Sequence, residues 1–129
     1  MIHKVLKIRD WIVDFLFAER KYDIDGIIAC LYDAGAPDNK IQQALDLMDS
    51  CQYNCGFTFS NPYNRRGVVL FGPVDSAPQF LNTFVHEIRH FTDNIASYYD
   101  YPLDSESAAY LSGDTAMALA DAVCKLGCG

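Results

Sequence analysis

The stretch Ser76–Tyr98, SAPQFLNTFVHEIRHFTDNIASY, sets Phe80, Phe84, Ile88, Phe91 and Ile95 three or four residues apart. That spacing stacks them along one side of an α-helix, where a core can cover them. Ser76 or Asp75 is placed to cap the helix, and Pro78 falls in the first turn, where its missing N–H has no helical partner to lose. One long amphipathic helix is predicted, ending near Asp100-Tyr101-Pro102. A final helix is expected from about Ser105 to Leu126, closed by Gly127.

Toward the N-terminus the period shortens to two in Gly56-Phe57-Thr58-Phe59-Ser60, followed by a turn-rich NPYNRR and the β-branched run Gly67-Val68-Val69-Leu70-Phe71-Gly72. These features predict a β-hairpin. The first 50 or so residues carry helical spacings instead. Val5, Ile8, Ile12, Val13 and Leu16 predict an amphipathic helix over Ile2–Phe17. A second helix is expected from Ile24 to Ala34, ended by Gly35, and a third from Pro37 to Ser50, with Ile41, Ala44, Leu45 and Met48 as its buried stripe.

The expected class is therefore α+β. The reading is a mostly helical single domain over 1–129, with a helical part over 1–52 and, over 55–129, a hairpin or small sheet packed on the long helix and the helix after it. The balance of 10 basic against 17 acidic residues, a net charge of −7, is opposite to the footprint of a nucleic-acid binder. No apolar run approaches the roughly 18 residues that span a bilayer. The start, MIHKVLKIRDWIVDFLF, does not read as a secretory signal, so a cytoplasmic setting is expected. Reduced thiols are then the expectation for Cys30, Cys51, Cys55, Cys124 and Cys128. The two C-x3-C spacings, CQYNC and CKLGC, leave a tetrathiolate zinc site as a lesser alternative to small buried side chains.

Inside the long helix lies His86-Glu87-Ile88-Arg89-His90, an H-E-x-x-H sequence. Two histidines four apart project from one helix face, so both imidazoles can reach a single zinc ion. Glu87, one step round the helix, can take a proton from a metal-bound water. The chain has only three histidines and three glutamates, so this spacing by chance is on the order of one in 600, which weighs against coincidence.

A catalytic zinc needs a third protein ligand. Three acids compete for the place. Glu106 opens the following helix, which can fold back antiparallel and bring its side chain to the histidines. Asp93 shares the histidine face, but as a short side chain on the same helix it suits better a hydrogen bond to a ring N–H, or plain solvation. Asp104 is explained as an N-cap.

The H-E-x-x-H helix followed by a second helix bearing a glutamate resembles the gluzincin group of zinc metallopeptidases. The segment Glu106-Ser-Ala-Ala-Tyr-Leu-Ser-Gly113 is similar to the glutamate helix of small single-domain members found in bacteria and mobile elements. The resemblance covers about Gly67 to Ala118. It implies His86, His90 and Glu106 as ligands of Zn2+, Glu87 as general base, and Gly67, Val68, Val69, Leu70 and Phe71 as the edge strand along which an extended peptide binds. Tyr110, one turn after Glu106, is a candidate to stabilise an oxyanion, and Asp114, a turn further, to orient a histidine, although a tyrosine on an alanine-rich face is also ordinary core.

The function expected is zinc-dependent hydrolysis of peptide bonds in a peptide or protein substrate, with neither nucleic acid nor membrane as partner. The alternative is a non-catalytic module that keeps the zinc site for folding, interaction or regulation.

Overall fold

The computed structural model describes residues 1–127. Nine elements follow in chain order: β1 (Ile2–Ile8), β2 (Trp11–Phe17), α1 (Ile24–Asp33), α2 (Asp38–Ser50), β3 (Gly56–Asn61), β4 (Arg66–Phe71), α3 (Ala77–Tyr98), α4 (Glu106–Ala118) and α5 (Ala120–Gly127). The strands form one mixed sheet in the order β1-β2-β4-β3, with β2 and β4 parallel and the two outer pairs antiparallel. The fold is α+β, as the helical and alternating stretches imply.

Helices cover both faces of the sheet. On one face Trp11, Val13, Phe15 and Phe17 of β2 and Val69 and Phe71 of β4 pack against Phe80, Phe84, Ile88, Phe91 and Ile95 of α3. Leu111 of α4, Leu119 between the two helices and Ala122 of α5 close the same core. On the other face Leu16, Phe59, Val68 and Leu70 meet Ile27 and Leu31 of α1 and Ile41, Ala44 and Met48 of α2. Strands buried on both faces read as continuous apolar runs, and β4 is one. No helix of the described residues is long and apolar enough to cross a membrane.

The structure corrects the first expected helix. Residues 2–17 form the β1-β2 hairpin, turning at Arg9, whose φ is +54°, and Asp10, with Ile8 opposite Trp11. The helical spacing of Val5, Ile8, Ile12, Val13 and Leu16 coexists with an alternation of Trp11, Val13, Phe15 and Phe17, and the alternation wins. It buries three aromatic rings on α3, and Ile2, Val5, Ile8, Ile12 and Val13 are β-branched. The sheet accordingly has four strands and reaches back into the part expected to be all helical. The final helix divides at Leu119, which ends α4 and is fully buried.

A second correction bears on function. The expected substrate strand, Gly67 to Phe71, is not an edge: β4 pairs with β2 on one side and β3 on the other. Gly67, Val68, Val69, Leu70 and Phe71 are all buried, and a side chain at Gly67 would begin 3.3 Å from the ring of Phe91. No backbone group of this strand is left for a peptide.

A candidate active site between α3 and the edge strand β3

Helix α3 begins at the Ser76 side chain, which accepts from the Gln79 N–H, and commits one side to the core through its phenylalanines and isoleucines. The opposite side is then obliged to face solvent, and His86 and His90 lie there. Their Nε2 atoms are 3.1 Å apart. Two nitrogens at zinc-ligand distance, about 2.0–2.1 Å, on neighbouring corners of a tetrahedron are about 3.3 Å apart. The pair as it stands thus fits two donors to one ion, without refolding of the helix.

Glu87 sits between the two sides of α3. Only 5% of it is exposed, a rare state for a carboxylate unless it is hydrogen-bonded. Thr58 Oγ1 on β3 donates to Glu87 Oε1 at 2.9 Å, and the other oxygen, Oε2, lies 3.9 Å from His86 Nε2. The carboxylate is therefore held by one oxygen and turned toward the histidines with the other.

Small residues on β3 allow this approach. A Cβ on Gly56 would fall 2.5 Å from Glu87 Cγ and 2.8 Å from the Leu70 carbonyl oxygen. Further along, Asn94 Nδ2 of α3 donates to Ser60 Oγ at 3.1 Å. Gly56, Thr58 and Ser60 form one face of the strand toward α3, while Phe57 and Phe59 point to the other core. The outer edge of β3 has no strand partner among the described residues.

A cleft of about 310 Å³ opens between this edge and α3, lined by Gly56, Phe57, Thr58, His86, Glu87, His90 and Asn94. A second, of about 270 Å³, adjoins it at Gly56, His86 and Glu87 and continues past Asn54, Cys55, Asn82 and Thr83. A larger cleft, about 620 Å³, lies away from both, among Met1 and residues 19–25. Its lining contains neither histidine nor cysteine.

Compared with protein-family models, with curated proteins and with solved structures, the chain matches none.

The remaining expected residues are not gathered here. Helix α4 buries Ala108, Leu111 and Thr115, which leaves Glu106, Tyr110 and Asp114, also four apart, on its exposed side. Tyr110 is 64% exposed and lines neither cleft. The carboxylate of Glu106 does not come within 4.8 Å of both histidine nitrogens. Asp93 makes an ion pair with Arg89 at 2.9 Å instead of supporting a ring N–H. Thr92 Oγ1 and Ser112 Oγ, 3.0 Å apart, fix α4 against α3 on the flank away from the cleft.

The thiol expectation is corrected at one pair: Cys51 and Cys55 are joined in a disulfide. Helix α2 ends at Ser50, so the intervening residues form a loop that folds back, and the two Cα atoms are 6.4 Å apart. With two of its sulfurs bonded to each other, a four-thiolate site cannot form. Cys30 and Cys124 are free, and Cys128 lies outside the described residues.

Thr58, Gly56 and Asn94 were not among the expected site residues. A signal for the first two does exist in the alternation, since glycine, threonine and serine between phenylalanines are the small face of a strand that something approaches closely.

Proposed function

We propose that the protein is a zinc-dependent metallopeptidase with His86 and His90 as metal ligands and Glu87 as general base. The observation that carries this reading is the 3.1 Å separation of two exposed imidazole nitrogens beside a buried, hydrogen-bonded glutamate. A zinc ion bound there supplies Lewis-acid polarisation of water and of the substrate carbonyl.

The chain's own residues do the rest. Glu87 accepts the proton of the attacking water at its free oxygen and passes it to the departing amine nitrogen. Thr58 holds the carboxylate in position for both transfers. An extended peptide adds to the open edge of β3, which replaces the Gly67–Phe71 strand as the substrate platform. As third ligand we propose Glu106, which is exposed at the start of α4 and makes no side-chain hydrogen bond or ion pair among the described residues. The proposed setting is the cytoplasm. A Cys51–Cys55 bridge found intact in acid-quenched, alkylated cells would place the protein in an oxidising compartment instead.

A second reading, a zinc-stabilised interaction or regulatory module without catalysis, draws on the separation of Glu106 and Tyr110 from the histidine pair. Incubation of zinc-loaded wild type and Glu87→Gln with a varied peptide library, read by mass spectrometry, separates the two. Cleavage by the wild type alone is expected, and equal patterns from both proteins favour the module.

A further inference from the structure

On the face of the sheet opposite the histidine pair, three elements bring together side chains of a different kind. His3 lies on β1, Asp14 on β2 and Cys30 on α1. Because Val5 is paired with Asp14, His3 stands one step along the same face of the hairpin, and its Nε2 is 2.7 Å from Asp14 Oδ1. One donor atom from each of His3, Asp14 and Cys30 lies within 4.8 Å of the other two. Among the described residues this is the only such trio of histidine, cysteine or acidic side chains.

Asp14 is only 6% exposed in the middle of the sheet. Its second oxygen, Oδ2, is 3.9 Å from Arg66 Nη2, which leaves Oδ1 turned toward His3 and Cys30. The aspartate carboxylate thus faces the imidazole and the thiol across a short gap.

We propose that His3, Asp14 and Cys30 bind a divalent cation of the zinc class, tying α1 to the β1-β2 hairpin. A mixed nitrogen, oxygen and sulfur set suits zinc or cobalt, whereas magnesium and calcium take oxygen alone. Three protein ligands leave the fourth tetrahedral position to water. Binding breaks the Cys30 S–H bond, forms a metal–sulfur bond and releases one proton to solvent. His3 gives up its hydrogen bond to Asp14 and moves its ring proton to Nδ1, so that the Nε2 lone pair faces the ion. Nothing is oxidised or reduced.

The test is cobalt titration of the metal-free full chain. Cys124 and Cys128 are replaced by serine, which leaves Cys30 as the free thiol beside the Cys51–Cys55 bridge. Cobalt bound to a thiolate gives a sulfur-to-metal charge-transfer absorption that the histidine pair cannot produce. We expect this band in that background, its loss in Cys30→Ser, and its bleaching by added zinc. The band should survive His86→Ala with His90→Ala, which keeps this site's fate separate from that of the proposed peptidase centre. His3→Ala, on an exposed edge strand, should weaken cobalt binding by more than the roughly 10- to 100-fold that an outer partner carries. It also decides the matter if circular dichroism shows Cys30→Ser to be unfolded. Absence of the band in the background protein, its persistence without Cys30, or unchanged affinity without His3 would overturn the site.

Discussion

At the residue scale, the carboxylate of Glu87 is the general base of the proposed reaction and is also held within the fold by Thr58. Glu87→Gln keeps size and a hydrogen bond from Thr58 but cannot accept a proton, so peptide cleavage should fall by roughly 10²-fold or more, with zinc content unchanged. Thr58→Val separates positioning from stability. It removes the donor at 2.9 Å from a buried carboxylate, which should destabilise the fold by about 1–3 kcal/mol in urea unfolding and lower kcat more than it raises KM. Cys30 is half-buried, whereas Cys124 is exposed. With its pKa raised to about 11 by burial and Asp14, neutral Cys30 contributes stability that is whole below the unfolded thiol pKa near 9 and is lost between about pH 9 and 11. In metal-free protein, iodoacetamide should therefore label Cys124 quickly at pH 8 and Cys30 only as the pH rises toward 11, as peptide mapping can show. The sequence motif points to Glu87 and the alternation of β3 marks Thr58 as part of a small face, but the partners of Asp14 and His3 come from elements that meet only in the folded sheet.

At the element scale, the long helix α3 and the β3-β4 hairpin could be read directly, and so could α1 and α2, because each has a single dominant period. The β1-β2 hairpin could not. Its residues satisfy two periods, and only the hydrophobic face offered by α3 decides between them, a choice made by packing rather than by local preference. The same misreading moved the edge of the sheet. Without β2 as a neighbour, β4 looks like an edge strand. With β2 in place, it becomes the centre and β3 takes the outer position. Hydrogen exchange tests this arrangement: amides of β4 and β2 should be uniformly slow, while β3 should show alternate fast amides along its open edge. Adding a peptide substrate to zinc-loaded Glu87→Gln should slow those fast amides. If it slows none of them, the strand is not the platform.

At the scale of the whole molecule, the proposed zinc site bears on whether α3 and α4 are coupled. Two histidines on one helix can bind zinc using α3 alone, and such a site would stabilise the fold only through that helix. A ligand from Glu106 would instead link the first turn of α4 to the histidine face across the connection 99–105. Anything that binds the folded state alone stabilises it by about 2.7 kcal/mol at a hundredfold excess over Kd. Raised thermal stability in zinc is therefore expected under either ligand set, and its partition between helices distinguishes them. With Glu106 as third ligand, zinc should slow exchange in the first turn of α4 as well as around His86 and His90, and Glu106→Ala should lose both the α4 effect and most of the thermal shift. Cys30→Ser in the background removes the sheet-face site from the comparison. Protection confined to α3, with a thermal shift indifferent to Glu106→Ala, would mean that the histidine pair takes its remaining ligands from water or substrate, and that the resemblance to a glutamate helix over Glu106–Gly113 carries no ligand.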